Sequence, residues 1–187
     1  MITGLDHVVV LVRDLEAAVA FHRTLFGRAP AWRAEADGAA SALFVLGNMA
    51  LELLSPAGEG EGAARIRAAL DAQGEGPASL AFAVDDIDRL HRRLARLALA
   101  PDNISEGASR DLGSGATLRW RRTRATTAAT HGVRLFFLQR AAPLPASRAV
   151  MTAPVDALDH VVIATPDPER AAALYGARLG LDMALDR

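Results

Sequence analysis

LDHVVVLVRDLEAAVAFHRTLFG, residues 5 to 27, returns without a gap as LDHVVIATPDPERAAALYGARLG, residues 158 to 180. A looser third copy lies between them, where residues 79 to 88 take the place of residues 7 to 16. Self-similarity of this kind is the sequence signature of a fold built from repeated units. The chain is therefore organised as copies of one module, and the first copy sets the pattern for the rest.

The composition limits the size of the hydrophobic core and the classes of partner that the chain can have. With 187 residues and 51% hydrophobic content, the chain can bury one full core and part of another. A net charge of -1 gives no reason to expect a nucleic-acid partner, and no run of about 18 apolar residues exists to cross a membrane. The absence of cysteine excludes disulfides and thiolate metal sites, and without a secretory signal pattern the expected location is cytoplasmic.

The first module reads as strand, helix, strand, strand, strand. A Val-rich strand is followed by Asp14, which is typical of a helix N-cap, and Gly27 ends the helix. The second module restarts after a Gly- and Glu-rich connector, with Asp86 before its own helix. We expect strands at 5–12, 31–36, 40–46, 49–54, 78–84, 104–109, 117–125 and 133–139, and a connecting helix at 63–72.

The repeats predict three segments. Residues 1–140 should form one domain from two modules, 1–55 and 77–140, joined by the helical connector. Residues 141–156 read as a linker because prolines interrupt them and no periodicity runs through them. Residues 157–187 hold only the start of a third module. An isolated strand-helix-strand cannot bury its faces, so residues 181–185 should pair with the first domain's sheet edge or with a second chain.

These residues resemble the vicinal oxygen chelate superfamily, which includes glyoxalase I, bleomycin-resistance proteins and extradiol dioxygenases. The resemblance rests on residues 5–10, on Asp14-Leu15-Glu16 with Leu25-Phe26-Gly27, on residues 51–54, and on the repeat at 158–180. It implies an α+β fold in which paired βαβββ modules form a cupped mixed sheet, with residues 157–187 as the incomplete start of a second glyoxalase-like domain. It also implies a cavity holding a divalent metal through one side chain from each of four strands.

Carried onto this chain, the resemblance assigns His7 and Glu52 as metal ligands in the first module. An imidazole and a carboxylate suit Zn, Ni, Fe or Mn and leave positions open for substrate oxygens. In the second module Ser79 takes the place of His7, and the place of Glu52 falls near Phe136. The predicted site is therefore incomplete, and no organic cofactor is implied.

A structural role is the alternative for His7, which would then be a buried histidine that donates one hydrogen bond. Glu52 is harder to explain in this way. A carboxylate in an apolar strand needs a partner or must face a wet cavity. Glu52 is accordingly the predicted catalytic residue, moving a proton directly or through a metal-bound water.

A basic run, RWRRTR at residues 119–124, provides the candidate substrate contacts. In a strand, Trp120, Arg122 and Arg124 share one face. Guanidinium groups beside an indole suit an anionic, partly planar ligand, so Trp120 and Arg122 are the predicted substrate-binding residues. The alternative is a solvated edge strand whose arginines pair with Asp102, Glu106 or Asp111.

The leading functional hypothesis is a glyoxalase-like metalloenzyme with lyase, isomerase or dioxygenase chemistry on a small anionic oxygenated substrate. The second is a metal-free protein of the same fold that sequesters a small molecule, as resistance proteins do. A third is an assembly role in which residues from 157 onward complete a partner's sheet. The expected partners are a small-molecule ligand and a second copy of the chain in a homodimer.

Overall fold

A computed structural model describes residues 1–152 and 154–182. Eight strands and four helices appear in the order set by the repeat. The strands are β1 (Ile2–Leu11), β2 (Trp32–Ala36), β3 (Ala39–Val45), β4 (Ala50–Pro56), β5 (Gly76–Val84), β6 (Ser105–Arg110), β7 (Thr117–Arg124) and β8 (Leu135–Arg140). The helices are α1 (Leu15–Phe26), α2 (Glu61–Gln73), α3 (Ile87–Arg96) and α4 (Pro168–Ala172), the last continued by a π-helical turn over Ala173–Arg178.

All eight strands form one sheet in the order β2-β3-β4-β1-β5-β8-β7-β6. The two modules repeat the same internal pairing, because β1 runs parallel to β4 and β5 runs parallel to β8. The modules join through the antiparallel β1–β5 pair at the centre. The α+β class and the paired βαβββ modules with a cupped mixed sheet are thereby confirmed.

The two ends of the sheet curl until they meet. The indole Nε1 of Trp32 on β2 donates to Ser109 Oγ on β6 at 2.8 Å. The Arg33 backbone N–H donates to Asp111 Oδ1 at 2.9 Å, and the Leu112 N–H donates to the Arg33 carbonyl at 2.8 Å. These contacts cover the exposed edges of β2 and β6 and turn the cup into a nearly closed wall.

The helices of the two modules begin with the same device. Asp14 Oδ1 accepts from the Ala17 N–H at 3.0 Å, and Asp86 Oδ1 accepts from the Arg89 N–H at 2.8 Å. Each carboxylate thus satisfies one of the free N–H groups in a first helical turn. Gly27 closes α1 at φ 62°, in the left-handed region that glycine adopts without strain.

Strand alternation separates the core from the cavity. On β1, Val8 belongs to the hydrophobic core that the convex face of the sheet forms with α1 and α3, while His7 and Val9 line the concave side. Helix α2 lies against the concave side, where Ile66 and Leu70 pack on Val9. The connector helix therefore forms part of the wall of the cavity.

The described part of the segment after β8 contacts the domain at several points. The hydroxyl of Ser147 accepts from the Val45 N–H at 2.8 Å, and Asn48 exchanges two hydrogen bonds with the backbone of Leu158. Residues 157–165 form no strand, unlike the first strand of the earlier modules. Leu174 and Leu179 of the repeated helix are each 1% exposed within the main core.

The predicted division at residues 140 and 157 stays a prediction. The described part of the third module packs by its helix, and residues 183–185 of the segment expected to pair with a sheet edge or a second chain lie outside the described residues. On α1, Val19 and Phe26 are buried, whereas Leu25 is 54% exposed. No helix in the described part of the chain is long and apolar enough to span a membrane.

Candidate functional site

The sheet encloses a cavity of about 670 Å³ that both modules line. The first module contributes His7 and Glu52, and the second contributes Trp120, Arg122 and Phe136. All of the residues predicted for metal binding, catalysis or substrate binding thus reach the same space. The cavity is of the size that small-molecule sites usually have.

His7 lies between two carboxylates. Its side chain is buried, with Nδ1 2.6 Å from Asp6 Oδ1 and Nε2 3.3 Å from Glu52 Oε2. The Glu52 side chain is 27% exposed, so one edge of it stays open to the cavity. The imidazole therefore connects a buried carboxylate to one that a ligand can reach.

Arg140 on β8 completes this network. Its guanidinium donates to Asp6 through Nε at 2.8 Å and Nη2 at 2.6 Å, a bidentate pair in which both side chains are buried. The same guanidinium lies over the Trp120 ring, 5.9 Å from its centroid. The Asp6–Arg140 pair therefore connects the start of the first module to the end of the second.

The hydrogen bonds among Asp6, His7, Glu52 and Arg140 determine which of these side chains are charged at neutral pH. Burial lowers the pKa of His7, but the hydrogen bonds that its ring donates to Asp6 and Glu52 outweigh burial and raise the His7 pKa to about 9. Burial would raise the pKa of Glu52, yet the hydrogen bond and charge of His7 bring it below its usual value. The pKa of Asp6 is likewise held well below its usual range against burial, by His7 and Arg140. At neutral pH the site holds an imidazolium between two carboxylates.

The strand register tests whether a metal fits here. Glu52 is paired with Val9, two residues after His7, and Phe136 is paired with Ala81, two residues after Ser79. Phe136 thus occupies the position that Glu52 holds in the first module, and it offers no ligand. Among the described residues no cluster of three or more His, Asp or Glu side chains could hold a metal. Two ligands and one hydroxyl do not fit the four-strand metal site that the resemblance implied.

The basic strand β7 lies inside the sheet, between β8 and β6, so the alternative of an edge strand is wrong. Its two faces differ. Arg121 points outward and forms a bidentate pair with Asp88 at 2.7 and 2.9 Å. Arg124 pairs with Asp102 at 2.9 Å, while Arg122 lines the cavity without an ion pair among the described residues.

Sequence reasoning missed two parts of the site. Asp6 carries no signal beyond its place in the repeated motif, whereas Arg140 ends the apolar strand LFFLQR, which is a detectable signal. Arg65 on α2 and Arg134 before β8 also line the cavity. Neither carries a local sequence signal, because only the closure of the sheet and the placement of α2 bring them there.

Comparisons with known proteins agree with the fold described above. A family model described as a glyoxalase-like domain matches residues 5–179. Methylmalonyl-CoA epimerase from Mycobacterium tuberculosis is 26% identical, with a TM-score of 0.57 over 75% of this chain and 90% of that one. A Streptomyces coelicolor methylmalonyl-CoA epimerase variant in complex with 2-nitronate-propionyl-CoA is 23% identical, with a TM-score of 0.61 over 76% of this chain and all of that one.

A hypothetical protein from Bacillus halodurans is 18% identical and has a TM-score of 0.58, over 75% of this chain and 96% of that one. No curated protein sequence matches the chain. The family match extends across both complete modules and the repeated helix after them. The chain belongs to the glyoxalase-like domain family, within the vicinal oxygen chelate superfamily.

Proposed function

We propose that this protein is an isomerase-type enzyme that moves a proton on a small anionic, oxygenated substrate. The observation that carries the proposal is the position of Glu52, an ionised carboxylate that lines the same cavity as the arginines of the second module. A carboxylate in this setting is a general base that a ligand can reach.

Each side chain has a role in this scheme. Glu52 accepts a proton from the carbon next to a carbonyl group, so that a C–H bond breaks and an O–H bond forms on Glu52. The His7 imidazolium beside Glu52 supplies positive charge as the substrate becomes an enolate. Glu52 then returns the proton to the other face of the same carbon or to the neighbouring carbon, so that the product is an isomer of the substrate. Asp6 and Arg140 hold the imidazole in place.

Substrate binding is assigned to the second module. Arg122 offers a planar guanidinium that no carboxylate of the described residues pairs with, and Trp120 adds an aromatic surface next to it. Together they suit a carboxylate attached to a planar group. The M. tuberculosis and S. coelicolor relatives are epimerases by name, and one is in complex with an acyl thioester of coenzyme A. Acyl thioesters with an acidic C–H bond are therefore the first substrates to test.

The test is solvent deuterium exchange followed by proton NMR. The protein is incubated in D₂O with a 2-methylmalonyl thioester, a 2-oxo acid and a 2-hydroxy ketone, and loss of the C–H signal is timed. We expect exchange in at least one of these compounds, and its loss in Glu52→Gln. Glu35→Gln, an exposed glutamate outside the cavity, is the matched control and should exchange normally.

A metal-free binding protein is the second candidate, and the satisfied His7–Glu52 pair favours it because Ser79 and Phe136 provide no further strong ligand. In that case a small carboxylate would bind the cavity with unchanged affinity in Glu52→Gln. No compound would exchange its protons. Binding without exchange therefore supports the second candidate over the first.

The homodimer also stays a prediction of the sequence. The wall that β2 and β6 close leaves the cavity complete within one chain. We therefore propose that a single chain is sufficient for ligand binding, whether or not two chains associate. Light scattering after size-exclusion chromatography measures whether two chains associate. Ligand titration at protein concentrations above and below the dimer Kd shows whether ligand binding depends on that association.

A further inference from the structure

A second set of arginines, named the rim here, lines the cavity together with helix α2. Arg65 comes from α2, Arg124 from β7 and Arg134 from the residue before β8. Three elements that are far apart in sequence thus bring guanidinium groups to one rim. The strand register places Arg134 beside Ser79, which is itself paired with Val9. Arg134 and Arg140 therefore lie on opposite sides of Phe136 along the chain.

All three guanidinium groups belong to the lining of one cavity, so their charges act on one another. Partial burial lowers the pKa of Arg134, and the charges of Arg124 and Arg65 lower it further. Like charges held together destabilise a protein unless an anion offsets them. The cavity is lined by five arginines and three carboxylates, namely Arg65, Arg122, Arg124, Arg134 and Arg140 against Asp37, Glu52 and Asp102.

The available carboxylates leave part of this charge free. Asp102 pairs with Arg124, and Glu61 approaches Arg65 only at 3.5 Å on the exposed surface of α2. The Arg134 carbonyl accepts from the Leu80 N–H at 3.0 Å, whereas its guanidinium makes no hydrogen bond or ion pair with the described residues. A ligand anion at the rim would therefore meet donors from three directions, with the fork geometry that suits phosphate oxygens.

We propose that the rim formed by Arg65, Arg124 and Arg134 binds a phosphoryl group of the ligand, while Glu52 and Arg122 act on its reactive end. This assignment extends the proposed function. Only the part that concerns Glu52 and Arg122 rests on that function. The chemical class of substrate is then a small oxygenated acid or acyl compound that carries a phosphate or diphosphate tail.

The test uses inorganic pyrophosphate as the probe, titrated by calorimetry at physiological ionic strength, with malonate as a carboxylate comparator. Wild-type protein should bind pyrophosphate more tightly than malonate. Arg134→Gln and Arg65→Gln should each weaken pyrophosphate binding about tenfold or more, the effect of losing one charge-assisted hydrogen bond. Arg67→Gln, two residues from Arg65 on α2 and outside the cavity lining, is the matched control.

Equal affinity for pyrophosphate in wild type, Arg134→Gln and Arg65→Gln would overturn the proposal, as would the absence of binding at millimolar pyrophosphate. Glu52→Gln should bind pyrophosphate like wild type. Arginine-dependent binding without any deuterium exchange would leave the rim site standing and reject the isomerase. Deuterium exchange without arginine-dependent pyrophosphate binding would support the isomerase and reject the rim site.

Discussion

The two modules share a scaffold and differ in chemistry. Both pair their first strand in parallel with their fourth, and both start the helix with an aspartate cap. The first module places His7 and Glu52 on the cavity side, where the second has Ser79 and Phe136. The fold requires the pairing and the caps but leaves the cavity-facing positions free to change.

The second module has instead acquired positive charge. Its cavity side bears Arg122, Arg124, Arg134 and Arg140, and no acidic side chain of β7 or β8 faces the same space. One half of the wall thus carries a carboxylate beside an imidazole, and the other carries guanidinium groups.

The largest effect should follow from making the modules alike again. The double variant Ser79→His with Phe136→Glu restores an imidazole and a carboxylate at the register positions of His7 and Glu52. We expect it to bind Zn²⁺ with micromolar affinity or tighter, on the order of 8 kcal/mol. Elemental analysis after dialysis should find about one metal per chain.

Phe136→Leu with Ser79→Ala is the control for this variant and should not gain metal, since it changes the same positions without adding ligands. If wild type already holds one zinc ion per chain after the same dialysis, the interpretation of the second module is wrong.

The next largest effect should come from breaking the Asp6–Arg140 ion pair, which connects the two modules. Asp6→Ala leaves the buried Arg140 guanidinium and the His7 imidazolium without their shared carboxylate. Removing one partner of a buried ion pair costs about 3–5 kcal/mol. Urea unfolding should show a loss of this size, whereas Asp71→Ala, which removes an exposed pair with Arg13, should cost less than about 1 kcal/mol. Equal losses would show that Asp6 does not connect the modules.

The pH dependence of stability should come from the first module. The pKa of His7 is raised in the folded state to about 9, so its contribution is complete below an unfolded pKa near 6.5. That contribution should disappear as pH rises from about 6.5 to 9, with an upper bound on the order of 3 kcal/mol. Urea unfolding at several pH values measures it. His7→Gln should flatten the curve in this window, and an unchanged curve would contradict the assignment.

The smallest effect should be the same in both modules. Asp14→Ala and Asp86→Ala each remove one N-cap hydrogen bond and should each cost about 1 kcal/mol of unfolding free energy. Thermal unfolding of the two variants provides the comparison. A difference well beyond about 1 kcal/mol would show that the two scaffolds are less equivalent than their caps suggest.

Much of the fold could be predicted from the sequence because the repeat fixes local structure. Strand alternation, the aspartate caps and Gly27 are short-range signals, and the observed element ends lie close to the predicted ones. The residues lining the cavity from the first module follow from the same alternation, since His7, Val9 and Leu11 share one strand face. The predicted residues Trp120 and Arg122 line it for the same reason.

The rest depends on contacts between distant parts of the chain. The Asp6–Arg140 pair joins the start of β1 to the end of β8, and nothing near either residue reveals its partner. The helix containing Leu174 has an apolar stripe that predicts burial, but the stripe does not say which surface covers it. Arg65 depends on where the connector helix lies. Such placements are set by packing over the whole domain.

The central claim is that the first module moves the proton and the second holds the anion. The most direct measurement is the rate of deuterium exchange against substrate concentration, for wild type, Glu52→Gln and Arg122→Gln. We predict that Glu52→Gln lowers kcat by about 10²–10⁴ with KM nearly unchanged. Arg122→Gln should raise KM by about tenfold or more. Exchange at the wild-type rate in Glu52→Gln would contradict the claim.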